Sequence, residues 1–147
     1  MKAQIISPKT KIDFQTYYEF RWRMLRKPLG KPRGSEKDDL EKDSCHVMLI
    51  KDKAVIGVGR IHFVIKNSFK KAQIRYMAID NKFQKRGYGT KLLLALEEIS
   101  IKNKIHDIFL HAREESVDFY MKNNYIRNKK SHLLFNLIQH WMMQKKV

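Results

Sequence analysis

The residues best suited to do chemistry together are Gln84-Lys85-Arg86-Gly87-Tyr88-Gly89-Thr90. Two glycines at this spacing let the backbone come close to an anion, and successive N–H groups can then point at it. The segment lies between a run that reads as a strand and one that reads as a helix. The helix N-terminus therefore adds its own free N–H groups and its positive dipole end. A Walker A loop is excluded, because Gly89-Thr90-Lys91 reverses the required order and the first glycine is missing; the G-x-G-x-x-G of dinucleotide binding is also absent. Taken alone, the glycine pair fits a tight strand-to-helix turn equally well. No two histidines have metal-ligand spacing on one helix, and no metal is expected. Arg75 stands mid-strand between Ile74 and Tyr76, where an unpaired charge turned to the core is costly. It faces either a slot, as an anchor for an acidic substrate group, or solvent.

Hydrophobic periodicity supplies the frame that holds these residues. Lys2–Ser7 reads as a strand. From Asp13 onward, Phe14, Tyr17, Tyr18, Arg21, Trp22 and Leu25 recur at helical spacing. Pro28, Gly30, Pro32 and Gly34 stop that helix, and Ser35 is placed to cap a short acidic turn through Asp43. His46–Lys51 and Ala54–Ile65 are apolar, β-branched runs split by Asp52-Lys53, which suits a hairpin, and Asn67-Ser68 turns the chain into Lys71–Ile79. A helix (Thr90–Asn103), a strand (Asp107–His111), a helix (Ser116–Asn123) and an apolar stretch (Leu133–Met143) follow. That last stretch could complete the sheet or a dimer. A meander followed by alternating helix and strand implies one α+β domain over residues 1–147, with a mixed, mainly antiparallel sheet flanked by helices.

Gln84-x-x-Gly87-x-Gly89 matches the Q/R-x-x-G-x-G/A pyrophosphate loop of the GNAT family of N-acetyltransferases. Ile74–Ile79 resembles that family's fourth strand. Ala112-Arg113-Glu114-Glu115-Ser116-Val117-Asp118-Phe119-Tyr120, followed by Asn124-Tyr125, resembles its N-x-x-A-x-x-F-Y-x-x-x-G-F segment with Phe119-Tyr120 in register. Arg23 to Gly30 and Gly57 to Arg60 are similar to a bacterial subgroup.

The resemblance implies an enzyme that transfers an acetyl group from acetyl-CoA to a primary amine by direct attack. It implies that Gln84, Lys85, Arg86, Gly87, Tyr88, Gly89 and Thr90 hold the pyrophosphate, mainly through backbone N–H groups. Met77, Ala78 and Ile79 would present backbone to the pantetheine arm and thioester, and one N–H there would stabilise the oxyanion. A bulge in that fourth strand would splay it from the next and open a V-shaped slot. Tyr120 would protonate the departing thiolate; its other reading is a core aromatic on a helix. Three positions depart from the family pattern. Gln73 stands where many protein-acetylating members carry a glutamate base, Arg113 replaces an asparagine, and Asn124 replaces a glycine. The base then falls to His46, His62, His111, Glu114 or His140, or to a water chain, with His46 and His140 in the most apolar settings.

The chain has 147 residues and a formal charge of +16, from 31 Lys+Arg against 15 Asp+Glu. Such an excess suits an anionic partner, and coenzyme A is one. The basic residues are dispersed, so nucleic acid is the less favoured partner. No stretch approaches the roughly 20 apolar residues of a membrane span, and the start lacks a secretory segment, which points to the cytoplasm. The single cysteine, Cys45, cannot form an intrachain disulfide and reads as buried and inert. Two rival functions are a CoA-binding sensor or scaffold without turnover and a basic nucleic-acid-binding protein. The acceptor, a small-molecule or peptide amine, stays open, as does a homodimer.

Overall fold

Thr10 fixes the first helix. Its hydroxyl accepts from the Asp13 N–H while the Asp13 carboxylate accepts from the Thr10 N–H, a capping box that starts α1 (Lys11–Leu25) two residues before Asp13. The computed structural model describes residues 2–147. The strands are β1 (Gln4–Ile6), β2 (Cys45–Lys51), β3 (Ala54–Lys66), β4 (Phe69–Ile79), β5 (Asp107–Arg113), β6 (Ile126–Leu134) and β7 (Ile138–Lys146). The other helices are α2 (Tyr88–Lys102) and α3 (Val117–Lys122). The strands form one sheet in the order β1-β2-β3-β4-β5-β7-β6, parallel only between β4 and β5. Among the described residues no helix is long and apolar enough to cross a membrane.

The meander and the later alternation follow the sequence pattern, with two differences. Leu133–Met143 is not one element. Phe135 and Asn136 take φ of 52° and 56°, turning the chain into a hairpin whose second strand, β7, inserts between β5 and β6. That stretch therefore completes the sheet. β6 lacks an apolar pattern because it is an edge strand, exposed along most of its length and rich in basic residues. Ser35 does not cap the acidic turn either: its hydroxyl donates to Pro32 O, and the turn Glu41–Asp43 has no side-chain cap.

The sheet separates two apolar layers. On one face, Leu92, Leu93 and Leu96 of α2 pack on Ile61, Ile74, Ile108, Leu110 and Met143. On the other, Tyr17 and Phe20 of α1 pack on Met48 and Val58. Gly59 lets α2 lie close to β3, since a Cβ there would sit 2.8 Å from Leu96 Cδ1. Glu97, on the buried face of α2, accepts from the Tyr125 hydroxyl at 2.8 Å and from Lys145 Nζ at 3.0 and 3.1 Å. One carboxylate thus ties α2 to β7 and to the start of the final hairpin.

Removing that acid leaves an ammonium and a phenol facing an apolar layer. Glu97→Ala is expected to lower unfolding free energy by about 3 kcal/mol. The readout is the urea midpoint at unchanged slope; a loss below about 0.5 kcal/mol would show that the tie is not structural.

Candidate active site

The site begins where β4 leaves β5. Their parallel pairing covers only Ala72↔Ile108, Gln73↔Phe109 and Ile74↔Leu110. On its other side, β4 pairs Arg75 with Arg60 and then Ala78 with Val58, so β4 carries one extra residue. Tyr76 takes φ 56°, a conformation rare for a bulky side chain. This is the bulge implied by the family resemblance. It sends Arg75 and Tyr76, consecutive in sequence, to the α1 face, whereas Met77 turns toward α3. The Met77-Ala78-Ile79 backbone and the end of β5 then border a wedge-shaped slot.

Beyond β4 the chain is built as a cradle. The Gln84 side chain donates to Ile79 O and Asn81 Oδ1, each at 3.0 Å, clamping the turn. Gln84 therefore shapes the loop with its side chain. Lys85 and Gly87 take φ of 62° and 85°, and Gly87, the N-cap of α2, offers no side-chain cap, which leaves the helix's first N–H groups free. A Cβ on Gly87 would meet nothing within 4 Å, so the space before this backbone is open. Gly89 serves another purpose. A Cβ there would sit 2.9 Å from Phe119 Cε1, so this glycine allows α3 to seat against the first turn of α2. Tyr88 packs against Phe83, with ring centroids 6.1 Å apart.

Tyr120 is 7% exposed, and its hydroxyl reaches Met77 Sδ at 3.7 Å across the slot. Phe119 and Tyr125 hold the ring edge-on. Burial pushes its pKa above the ordinary value, so it is a protonated donor at neutral pH.

The α1 face of the slot is polar. Arg21 and Arg60 are fully buried. Glu41 pairs with Arg21 at 2.9 Å and Arg60 at 2.8 Å; Asp38 pairs with Arg60 at 2.6 Å and Arg75 at 2.7 Å. Burial acts to raise the Asp38 carboxyl, but hydrogen bonds from Arg60 and the Leu40 N–H, with the Arg60 and Arg75 charges, hold it far below the usual range. Arg75 thus lies along the slot with 41% of its side chain exposed, sharing both positions open to it. The guanidinium carbons of Arg21, Arg26, Arg60 and Arg75 lie 4.2 to 5.6 Å from the Tyr76 ring centroid.

The structure divides the candidate bases. His46 Nε2–H donates to Glu41 O at 2.7 Å and Nδ1 accepts from the Tyr17 hydroxyl at 2.8 Å, so neither nitrogen is free. His62 Nδ1 faces Arg60 Nη2 at 3.3 Å. Gln73 pairs with Phe109 and His62, and Glu114 lies in the turn Glu114–Ser116. His111 remains at the slot edge, one residue past the last β4–β5 pair, with a buried, unpartnered Nδ1. His132 lies 5.3 Å from it and stacks on His140 at 4.3 Å between centroids. His132 escapes sequence reading because it sits in an irregularity of β6, between Lys130 and Leu133, that only pairing with β7 creates. Among the described residues no group of His, Cys, Asp and Glu is arranged to hold a metal ion. Cys45 is half-buried rather than buried, and burial raises its thiol. An open cleft on the outer side of α1, lined by Phe14, Tyr18 and Trp22, lies apart from the slot.

A mixed sheet splayed at its fourth strand, with an uncapped glycine loop at the mouth of the splay, is the layout of an acyltransferase domain. Residues 13–125 match the Acetyltransferase (GNAT) family, and the chain belongs to it as an N-acetyltransferase. It is similar to the uncharacterized N-acetyltransferase YjcF of Bacillus subtilis (strain 168), 25% identical over 145 residues covering 99% of each. Its fold is that of a GNAT-family acetyltransferase from Staphylococcus aureus Mu50, with TM-score 0.79 at 15% identity and 99% of each chain covered. The PaiA N-acetyltransferase of Thermoplasma acidophilum, solved in complex with coenzyme A, superposes with TM-score 0.72 at 17% identity over 100% of each chain.

The histidines give the fold an acid limit. Burial first, then neighbouring cations, lower His46, His62 and His111, and push His140 down to about 4 from 6.5. The unfolded chain takes up those protons first, so stability is full above pH 6.5 and falls as pH drops toward 4. Asp38 adds a further loss only below its ordinary 3.8. Urea midpoints measured between pH 7 and 4 should fall, and His140→Gln should flatten the slope; an unchanged slope would remove His140 from this account.

Proposed function

We propose that the chain transfers an acetyl group from acetyl-CoA to a primary amine by direct attack, without an acyl-enzyme, and that residues 1–147 act as one catalytic domain. The observation that carries this reading is the uncapped N-terminus of α2, with Gly87 open toward solvent, at the mouth of the β4–β5 splay. Gln84 to Thr90 hold the pyrophosphate. Backbone N–H groups and the dipole of α2 do most of this, and Lys85 and Arg86 add charge. Met77, Ala78 and Ile79 lie along the pantetheine arm, and an N–H among them meets the oxyanion as the amine nitrogen attacks the thioester carbon.

When the C–S bond breaks, the thiolate takes the Tyr120 proton. With unperturbed values of about 10 for Tyr and 8.5 for a thiol, that transfer is uphill by roughly 2 kcal/mol. Burial raises Tyr120 further, which suits an acid whose base, the thiolate, is generated in the same dry place. The amine's proton leaves toward His111, whose buried Nδ1 stands unpartnered at the slot edge; burial lowers its pKa, so the ring rests neutral and holds the proton only in passing on its way to solvent. This route replaces the carboxylate absent at Gln73.

Calorimetry should show acetyl-CoA binding that Gly87→Glu abolishes; no binding at millimolar ligand would end the reading. Tyr120→Phe is expected to lower kcat by about 10²-fold with KM for acetyl-CoA little changed, the low end of general-acid effects. Unchanged turnover would make Tyr120 a packing residue only.

A further inference from the structure

The α1 face of the slot holds more positive charge than its own acids neutralise. Five guanidinium groups gather there, from Arg21, Arg26, Arg60, Arg75 and Arg113. Among the described residues they meet only two carboxylates within 4 Å, Asp38 and Glu41, and these serve Arg21, Arg60 and Arg75. Arg26 and Arg113 donate to backbone carbonyls alone. Arg26 Nη1 and Arg113 Nη2 both reach Leu25 O at 3.0 Å, and Arg26 Nε reaches Ser35 O at 3.1 Å. Two like charges are therefore held side by side on one oxygen. The C-terminal end of α1, to which Leu25 O belongs, offsets about half a charge. Glu36, the one acid here that is itself buried, accepts from the Gly34 N–H and makes no ion pair with these arginines, and Glu115 acts on Arg113 only from beyond ion-pair distance.

The placement is as telling as the charge. Arg75 follows the last β4–β5 pair on β4, and Arg113 ends β5, so the two flank the splay. The alternation of β5 puts Arg113 on the α1 face, with Phe109 and His111, away from the layer of α2 and α3. Above them the Phe135 ring, at the tip of the last hairpin, meets Arg26 at 5.4 Å and Lys31 at 4.3 Å. The loop after α1 and that hairpin thus meet beside these arginines. The pyrophosphate loop serves the α2 side. Its anion leaves Arg26, which is buried, and Arg113, which is half-buried, without a counter-ion, and a desolvated cation left so is costly.

We propose that the amine acceptor is itself anionic, carrying a carboxylate or a phosphate that Arg26, Arg75 and Arg113 hold while its amine reaches the thioester beside Met77 and Tyr120. This rests on the acetyl-transfer reading of the same slot. The test uses the full chain with saturating acetyl-CoA and two matched acceptor pairs: β-alanine against β-alaninamide, and O-phosphoethanolamine against ethanolamine. Rates are corrected for the free-amine fraction. At least one anionic member is expected to exceed its neutral partner in kcat/KM by tenfold or more, and the better pair identifies the anion. Arg113→Gln and, separately, Arg75→Gln should cut that preference about tenfold, the scale of one charge-assisted hydrogen bond. Calorimetric acetyl-CoA binding in both variants should stay within twofold.

Equal rates for charged and neutral partners overturn the proposal, as does a preference that survives both substitutions. If none of the four is acetylated, calorimetry on the CoA-saturated chain decides, with propionate and inorganic phosphate as probes. Binding lost in Arg113→Gln sustains the proposal, and no binding ends it. A chain that fails to bind acetyl-CoA at all sinks the transfer reading itself, an outcome distinct from acetyl-CoA binding with neutral amines preferred.

Discussion

The extra residue in β4 is the constraint on which the rest of the structure depends. A tyrosine at φ 56° sits in a region that costs on the order of 1–3 kcal/mol, and it persists only where its surroundings over-determine it. Here they do. The Tyr76 ring is faced by four guanidinium groups, two of them from fully buried residues, and those are held in turn by Asp38 and Glu41. Because Tyr76 consumes the extra residue, Met77 faces α3, β4 stops pairing with β5 after Ile74, and the slot exists.

The sheet then separates two kinds of electrostatic work. On the α2 side, positive potential comes mostly from backbone: uncapped N–H groups, a helix dipole and two left-handed residues at Lys85 and Gly87. On the α1 side it comes from side chains, stacked in part on Tyr76 and braced by the loop that follows α1. A single charge excess of +16 therefore has at least two structural meanings besides solvated surface. Its most buried members, Arg21 and Arg60, are framework, because every ionic contact they make is to Asp38 or Glu41.

Much of this was legible in the residue pattern, and unevenly so. The hairpin at Asp52-Lys53, the helix carrying Leu92, Leu93 and Leu96, and the register of Phe119-Tyr120 were readable because each depends on neighbours close in sequence. The loop at Gln84 to Thr90 was readable for the same reason, although its two glycines proved to do different things. Gly87 opens the cradle, and Gly89 makes room for Phe119, a residue thirty positions away. β6 was missed because an edge strand needs no apolar face. The acidic turn through Asp43 was marked, but not that Asp38 and Glu41 in and before it would neutralise arginines from α1, β3 and β4.

The sequence by itself determined the family, the α+β class, the meander and the phosphate-facing loop, since periodicity, turn chemistry and a short glycine spacing are local properties. Only the tertiary structure decided which charges meet. His46, as apolar in its setting as any candidate, is locked between Tyr17 and Glu41, whereas His111 gains His132 and His140 from two other strands. Arg26 and Arg113, far apart in the chain, come to share one carbonyl. The physical reason is that a side chain's charge and proton affinity depend on its neighbours in space, and the fold alone brings those neighbours together.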